Sequence, residues 1–406
     1  MNNTNKIHHQ LVVVGGGAGG LSMAARMLHA GVKDVAIIEP SDKHYYQPLW
    51  TLVGGGVCQR EQSVRPMAEL IPTGAVWIQD AAVEFDPANN RIKTRDGKEV
   101  GYDYLIVAMG LQIDWDKIKG LPESLGKNGV CSNYSYDTVN STWENIRNFK
   151  GGNAVFTFPV PPIKCAGAPQ KIMYLAEHYF RKQGIRDKSR VIYYCATPTI
   201  FSAPKYAAAL MEQVVKPRQI EVHFKHNLEE IRPETKEAVF RNLDTGETMV
   251  QPYDMIHAVP PMSAPDAIKR SLLANEAGWV DVDKETLQHV RYPNVFSLGD
   301  VSSLPTSKTA AAVRAQCPIL AANLLAVMKT GQPLGKYDGY TSCPLITGYG
   351  KLILAEFDYD LKPRETFPFD QGKERYSMYL LKRYVLPVIY WHGLIKGYQW
   401  PRPGHA

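Results

Sequence analysis

The stretch LVVVGGGAGGLSMAARMLHAG, residues 11–31, decides the fold. It begins as a continuous apolar run, passes through a glycine-rich turn and continues with apolar residues at helical spacing until Gly31. The segment VAIIEP, which follows, is typical of a second buried strand. Because two such strands joined by a helix form a βαβ unit with parallel strands, the sequence predicts an α/β fold.

The glycine turn predicts a dinucleotide site. Gly15, Gly17 and Gly20 have GxGxxG spacing between the strand and a helix that begins around Ala18. The first glycine permits the tight turn, the second admits a pyrophosphate and the third lets the helix pack closely. Glu39 ends the second strand, where a carboxylate can bind an adenosine ribose. The alternative is a glycine-rich turn beside an ordinary surface acid.

The strand signature returns twice further along the chain. NAVFTFP (153–159) and RVIYYCATPT (190–199) flank a helix and predict a second βαβ unit. NVFSLGD (294–300) resumes the strand-and-turn theme of the first domain. We predict a discontinuous dinucleotide-binding, Rossmann-like domain at 1–115 and 266–340, a second Rossmann-like domain at 116–265 and a C-terminal region at 341–406.

The second unit lacks a glycine fingerprint of its own. Its turn, PPIKCAGAPQK (161–171), has prolines that remove backbone donors, so we predict no nicotinamide site there. The same turn places Cys165 just before a helix, with Lys164 and Lys171 beside it. A helix N-terminus and cations both lower the pKa of a thiol, which favours a redox role. The alternative is an inert, small apolar residue.

Composition excludes several classes of protein. The 406 residues carry a formal charge of +6, but Lys and Arg are scattered, so we predict no nucleic-acid binding. Six dispersed cysteines form neither a secreted disulfide scaffold nor a zinc pattern, and we predict no metal site. The opening MNNTNKIHHQ shows no signal or transit peptide.

The C-terminal segment RYSMYLLKRYVLPVIYWHGLIKGYQW predicts an amphipathic, membrane-associating tail. Its apolar runs are short and Pro387 interrupts them, so it is not a transmembrane helix. Aromatic side chains would lie at head-group depth, with Lys382, Arg383 and Lys396 toward acidic lipid. The alternative is a pair of helices packed on the protein's own core or in a dimer interface.

Several segments together resemble sulfide:quinone oxidoreductases, closest to the branch that includes the mitochondrial enzymes. The similar segments, spread over nearly the whole chain, are GGGAGGLSMA, HYYQPLWTLVGGG, FTFP with PIKCAGAPQKIMYLAEHYFRK, GDVSSLPTSKTAAAV and KYDGYTSCPLITGYGKLILAEFDY. KCAGAPQK and YTSCPL are the most specific. The resemblance implies FAD as cofactor and sulfide oxidation coupled to quinone reduction.

The resemblance also implies roles for individual residues. Cys165 and Cys343 would form the redox disulfide, and hydrosulfide would leave a persulfide on Cys343. Cys131 stays ambiguous between a third catalytic cysteine and a buried core residue. The FAD-binding residues assigned by the glycine turn and the resemblance are Gly15, Gly17, Ala18, Gly20, Glu39, Gln47, Pro48, Val83, Gly110, Asp300, Lys308, Thr309 and Ala310. The candidates to hold the quinone ring are Phe357, Phe367 and Phe369.

The expected partners are sulfide, a membrane quinone, a small sulfur acceptor (a thiol, sulfite or sulfide) and a membrane surface. The sequence leaves open whether the protein forms a homo-oligomer. Without a visible leader, we expect a prokaryotic enzyme peripheral to the inner, cytoplasmic membrane. Three rivals remain: a flavocytochrome sulfide dehydrogenase subunit, a type II NADH:quinone oxidoreductase and a non-enzymatic flavin-holding protein.

Overall fold

The structure is a computed structural model that describes residues 6–398, and its first sheet forms around the opening strand. Lys6–Val14 lies between Val35–Ile38 and Glu99–Val107, parallel to both. Ala75–Ile78 extends the sheet beyond Val35–Ile38, also in parallel. Val295–Ser297, from much later in the chain, pairs in parallel with Glu99–Val107. The α/β prediction is therefore confirmed, and the chain returns to its first sheet after an excursion.

A second sheet lies within that excursion. All five of its strands run parallel, in the spatial order Val130–Cys131, Met255–His257, Gly152–Phe158, Ser189–Cys195 and Glu221–Phe224. An antiparallel sheet of His226–Arg232, Glu237–Asn242 and Thr248–Pro252 packs beside it through a separate apolar core. We propose that the two parallel sheets mark the two predicted domains; the boundaries stay a prediction.

The remaining strands form small pairs. They are Gln112–Ile113 with Met262–Ser263, Lys43–Tyr45 with Val64–Pro66, and Thr341–Gly348 with Lys351–Phe357. Arg91–Thr94 and Ala82–Asp86 instead extend the first sheet beyond Glu99–Val107, each antiparallel to its neighbour. The pair Gln112–Ile113 and Met262–Ser263 lies where the chain leaves the first sheet and returns to it. The α-helices are Ala18–His29, Trp50–Gly54, Leu121–Ser124, Val139–Asn148, Ala168–Lys182, Pro204–Leu210, Asp266–Lys269, Ala310–Thr330, Tyr376–Leu380 and Leu386–Val388.

Two helices position the site. Ala168–Lys182, here called the cysteine helix, packs against the hairpin strand Thr341–Gly348 and buries one face. Ala310–Thr330, here called the long helix, packs against Ala18–His29. Within residues 6–398 the long helix alone is long and apolar enough to cross a membrane, but half of its most apolar stretch is buried in the protein. The long helix therefore packs as a core helix of the protein.

The C-terminal tail differs from a simple pair of amphipathic helices. Two π-helical turns, Leu381–Val385 and Ile389–Gly393, flank the short helix that contains Pro387. One face packs on the first domain and buries Tyr390, Trp391, Leu394 and Ile395. The other face exposes Tyr376, Tyr384, Val385 and Val388. The buried face agrees with the interpretation of helices packed on the protein's own core, and contact of the exposed face with a membrane stays a prediction. The last residues of the segment, 399–406, lie outside the described chain.

Candidate active site

The glycine turn has the geometry that a dinucleotide needs. Gly15 has φ +104°, and a Cβ there would lie 2.4 Å from the carbonyl oxygen of Ala108. A Cβ on Gly20 would lie 1.7 Å from the carbonyl oxygen of Gly15. A Cβ on Gly17 would meet no protein atom within 4 Å. The first and third glycines are therefore required by the protein's own packing, whereas Gly17 faces open space at the helix N-terminus.

Glu39 is held at the end of its strand, beside that open space. Its carboxylate accepts hydrogen bonds from the N–H groups of Gly16 at 2.6 Å and Ser41 at 2.8 Å. Each carboxylate oxygen keeps a further lone pair for a ligand hydroxyl. The N–H of Glu39 donates to the carbonyl of Ile78 at 3.1 Å, which brings the segment leading to Val83 alongside. These donors and acceptors fit the adenosine end of a dinucleotide.

Asp300 and the start of the long helix form a second polar cluster. The helix begins at Ala310, and Thr309 caps it by accepting a hydrogen bond from the N–H of Ala312 at 3.0 Å. Lys308 Nζ donates to the carbonyls of Asp300 at 2.6 Å and Ser302 at 3.2 Å. Burial raises the pKa of Asp300, against the opposing charge of Lys308. Burial lowers the pKa of Lys308 to about 8.

The other predicted cofactor contacts lie on loops and strand ends of the chain. Gln47 and Pro48 form a 3-10 turn, in which Gln47 is exposed. Val83 is exposed on the strand Ala82–Asp86. Gly110 has φ +70° and follows the segment that touches Gly15. The structure contains the fold elements that a flavin dinucleotide requires, and the individual contacts remain predictions.

The structure brings Cys165 and Cys343 together across 178 residues of sequence. Their Sγ atoms lie 3.8 Å apart, longer than the ~2.05 Å of a disulfide, so the pair is present as two thiols. Gly167 makes the approach possible, because a Cβ there would lie 2.5 Å from the sulfur of Cys343. Cys165 itself has φ +53° and lies, as predicted, just before the cysteine helix, which begins at Ala168.

One backbone contact and one side-chain contact hold the segments of both cysteines at the second polar cluster. The N–H of Cys165 donates to the carbonyl of Lys308 at 2.8 Å. The hydroxyls of Thr309 and Thr341 hydrogen-bond at 2.9 Å, which joins the long helix to the strand that carries Cys343. The cysteine pair therefore lies next to Lys308 and Thr309, which the resemblance assigns to FAD binding.

The groups around the pair shift the pKa values of the two thiols in opposite directions. The hydrogen bond from Cys343 holds the pKa of the Cys165 thiol well below its ordinary value; burial opposes this effect and the Lys171 ammonium, 3.2 Å from the sulfur, reinforces it. The same hydrogen bond and burial raise the pKa of the Cys343 thiol. These effects favour the thiolate at Cys165 over Cys343.

Of the two lysines expected beside Cys165, only Lys171 contacts the sulfur. Lys164 points away from it, and its Nζ donates to the carbonyl of Tyr134 at 3.0 Å. Burial lowers the pKa of Lys164 to about 8. The expectation that both lysines flank the thiol is therefore wrong for Lys164.

Cys131 is a core residue in this structure. It is fully buried, and its thiol donates to the carbonyl of Ile256 at 3.5 Å. Burial raises the pKa of this thiol to about 12. No contact with Cys165 or Cys343 is present among the hydrogen bonds of residues 6–398. The catalytic alternative for Cys131 gains no support from the geometry.

Sequence reasoning missed a buried lysine in the tail. Lys382 was expected to face acidic lipid, but it is 4 % exposed and its Nζ donates to the carbonyl of Pro48 at 2.9 Å. Burial, with the like charge of Lys171, lowers its pKa to about 7. His44 adds a second link, because its ring hydrogen-bonds to the Gly16 carbonyl at 2.9 Å and to the Tyr390 hydroxyl at 2.7 Å. The tail thus closes over the loops of the cofactor site.

The three phenylalanines proposed for the quinone lie in two environments. Phe367 and Phe369 stack with ring centroids 5.3 Å apart and an interplanar angle of 8°. Phe357 is 2 % exposed and packs edge-on against Phe201 in the core of the second domain. No ring contact joins Phe357 to the other two within residues 6–398. A sandwich of all three is not supported, and each remains a prediction.

Comparison with known proteins identifies the family. Residues 9–143 match the family described as pyridine nucleotide-disulphide oxidoreductase. A mouse relative, "Sulfide:quinone oxidoreductase, mitochondrial", is 56% identical over 98% of this chain and 89% of its own length. A relative of the same name from Dictyostelium discoideum is 53% identical over 96% and 86%. The chain belongs to the sulfide:quinone oxidoreductase family. Membership of this family implies a flavin cofactor.

A solved structure agrees with this assignment at the level of the fold. The sulfide:quinone oxidoreductase from Aquifex aeolicus superposes with a TM-score of 0.80 at 20% sequence identity, covering 97% of this chain and 93% of that one. The expectation of a prokaryotic enzyme on a cytoplasmic membrane is wrong, because the mouse and Dictyostelium relatives are mitochondrial enzymes of eukaryotes.

The open space at Gly17 gives a test of cofactor binding that is separate from folding. In Gly17→Ala the new methyl group meets no protein atom but occupies the space expected for the pyrophosphate, so affinity for FAD should fall by about tenfold or more, roughly 1.4 kcal/mol. Flavin absorbance per protein after purification measures the loss, and thermal unfolding of the flavin-free protein should be unchanged.

Gly20→Ala is the matched comparison for this test. Its methyl group collides with the Gly15 carbonyl, so the free energy of unfolding should fall by roughly 1–3 kcal/mol even without flavin. Normal flavin content in Gly17→Ala would contradict the assignment of the turn.

The contact between Lys171 and Cys165 predicts a pH dependence. The ammonium stabilises the thiolate, so Lys171→Met should move the midpoint of Cys165 alkylation to higher pH. Iodoacetamide labelling of the reduced protein across a pH series, read by peptide mass spectrometry, gives the midpoint. Lys164→Met, which removes a lysine that does not touch the sulfur, should move it less; equal shifts in the two variants would refute the assignment.

Proposed function

We propose that this chain is an FAD-dependent enzyme that oxidises sulfide at Cys165 and Cys343 and passes two electrons to a membrane quinone. The observation that carries the proposal is the cysteine pair itself, brought to 3.8 Å at the start of the long helix. The relatives that are 56% and 53% identical bear the name of this activity. The glycine turn and Glu39 supply the expected cradle for FAD.

The electrostatics of the pair set the direction of thiol exchange. In the oxidised enzyme, hydrosulfide attacks the sulfur of Cys343, a new S–S bond forms there and the Cys165–Cys343 bond breaks. The released electron pair stays on Cys165, because Lys171 stabilises the thiolate at that position. Cys343, whose thiol keeps its proton more firmly, carries the persulfide.

In the next steps, the outer sulfur of the persulfide and the two electrons go to different acceptors. A flavin held at the glycine turn would supply the two-electron acceptor for the cysteine side and the donor to the quinone. We propose that a thiol, sulfite or sulfide removes the outer sulfur from Cys343, after which the cysteine pair returns to the disulfide. Lys171 lies beside Cys165. Its charge stabilises the Cys165 thiolate and so makes Cys165 the leaving group when the disulfide is attacked.

The tail gives the quinone a route from the bilayer. Tyr384, Val385 and Val388 are exposed on its outer face, while Lys382 and Tyr390 connect its inner face to the cofactor loops. An apolar quinone dissolves in the membrane, and exposed aromatic and aliphatic side chains suit an interfacial position. We therefore propose that this face of the tail contacts the membrane, with the Phe367–Phe369 stack as the first candidate for the quinone ring.

The steady-state reaction tests the role of the pair. Cys165→Ser and Cys343→Ser should each lower kcat for sulfide-dependent reduction of decylubiquinone by about a hundredfold or more, because no disulfide is left for sulfide to attack. Cys131→Ala should keep activity within about threefold, since that thiol is buried away from the pair.

Two outcomes would overturn this function. Full activity in Cys343→Ser would remove the persulfide from the mechanism. Reduction of cytochrome c in place of decylubiquinone would favour the flavocytochrome alternative instead.

A further inference from the structure

Tyr134 is a buried residue in the apolar core that also contains Cys343, and the reaction has so far supplied no role for it. It follows the strand Val130–Cys131 and is 3 % exposed. Its carbonyl accepts the hydrogen bond from Lys164, which ties it to the residue before Cys165. Its ring packs in the apolar core that contains Cys343 and against which Cys165 packs.

The hydroxyl of Tyr134 has no hydrogen-bond partner within residues 6–398. Leaving a buried donor unpartnered costs about 1–3 kcal/mol, and most buried polar side-chain atoms have a partner. A phenylalanine would fill the same space without this cost. The hydroxyl is therefore explained by an acceptor that arrives from outside the chain.

Neither resident sulfur is that acceptor, because the hydroxyl forms no hydrogen bond with Cys165 or Cys343. Tyr134 nevertheless shares the apolar core of Cys343, against which Cys165 packs. Burial raises the pKa of the phenol well above its ordinary value, and negative charge on the two cysteines raises it further. The phenol therefore stays protonated at neutral pH and is available as a donor.

We propose that the Tyr134 hydroxyl binds the sulfur that enters as hydrosulfide and holds it as the outer sulfur of the persulfide on Cys343. The outer sulfur of the persulfide lies about 2 Å from the Cys343 sulfur to which it is bonded. It therefore occupies a position that neither cysteine sulfur occupies on its own. The inference rests on the proposed function and names a substrate-binding residue for the same site.

The hydrogen bond changes no atom or electron balance. Hydrosulfide forms its bond to Cys343 as the bond to Cys165 breaks, and the electron pair leaves on Cys165. Tyr134 keeps its proton and donates to an anionic sulfur before the bond forms and to the persulfide afterwards. A hydrogen bond to a charged acceptor is stronger than one to a neutral acceptor, so the bond favours capture of the hydrosulfide anion.

Tyr134→Phe tests the proposal in the oxidised holoenzyme. In this variant the Cys343 persulfide should form about tenfold to about a hundredfold more slowly. The rate is measured by rapid mixing with sulfide, quenching with iodoacetamide and peptide mass spectrometry. The melting temperature should be unchanged or higher, because the variant removes an unpartnered donor. The midpoint pH for alkylation of Cys165 should also stay the same, because the hydroxyl does not contact that sulfur.

Tyr253→Phe is the control variant. Tyr253 is 2 % exposed and its hydroxyl is also unpartnered within the described chain, but it lies in the separate core of the antiparallel sheet. It should form the persulfide at the wild-type rate. Wild-type rates in Tyr134→Phe would overturn the inference, as would a shifted Cys165 midpoint or a lowered melting temperature in that variant. Absence of the persulfide in the wild-type enzyme would instead overturn the proposed function.

Discussion

The hydrogen bond from the Cys165 N–H to the Lys308 carbonyl is the constraint on which the site depends. It fixes the turn of the second domain to the start of the long helix, which belongs to the part of the chain that returns to the first sheet. The Thr309–Thr341 contact then brings in the strand of Cys343 from a third part of the chain. With these elements joined, Gly167 leaves the space in which the two sulfurs approach.

This arrangement explains how a dinucleotide-binding fold performs sulfur chemistry. The turn that would cradle a second nucleotide carries prolines and Cys165 in place of glycines. The helix that follows contributes Lys171, whose ammonium stabilises the thiolate form of Cys165 instead of binding a phosphate. The first glycine turn keeps the geometry of a nucleotide cradle, with Gly17 facing open space. The first domain thus keeps a turn that fits a dinucleotide, while the second domain supplies Cys165 and the C-terminal region supplies Cys343.

The sequence predicted those features that depend on local order. The glycine turn, the parallel strands and the helix that starts at Ala168 follow from patterns within a few tens of residues. The meeting of Cys165 with Cys343 came from the family resemblance, because no local pattern links residues 178 apart. Lys382 was misplaced at a lipid surface because its contact with Pro48 is tertiary and overrides the amphipathic pattern. Tyr134 gave no signal at all, since its unpartnered hydroxyl is visible only in the packed core.

The most direct test of the central claim is an anaerobic titration of the purified flavoprotein, with flavin absorbance as the readout. If the second domain has exchanged nicotinamide binding for a redox pair, sulfide will bleach the flavin, NADH will not, and decylubiquinone will restore the absorbance. Bleaching by NADH without bleaching by sulfide would contradict the account, because electrons would then enter through a nicotinamide site that the turn at residues 161–171 is not built to form.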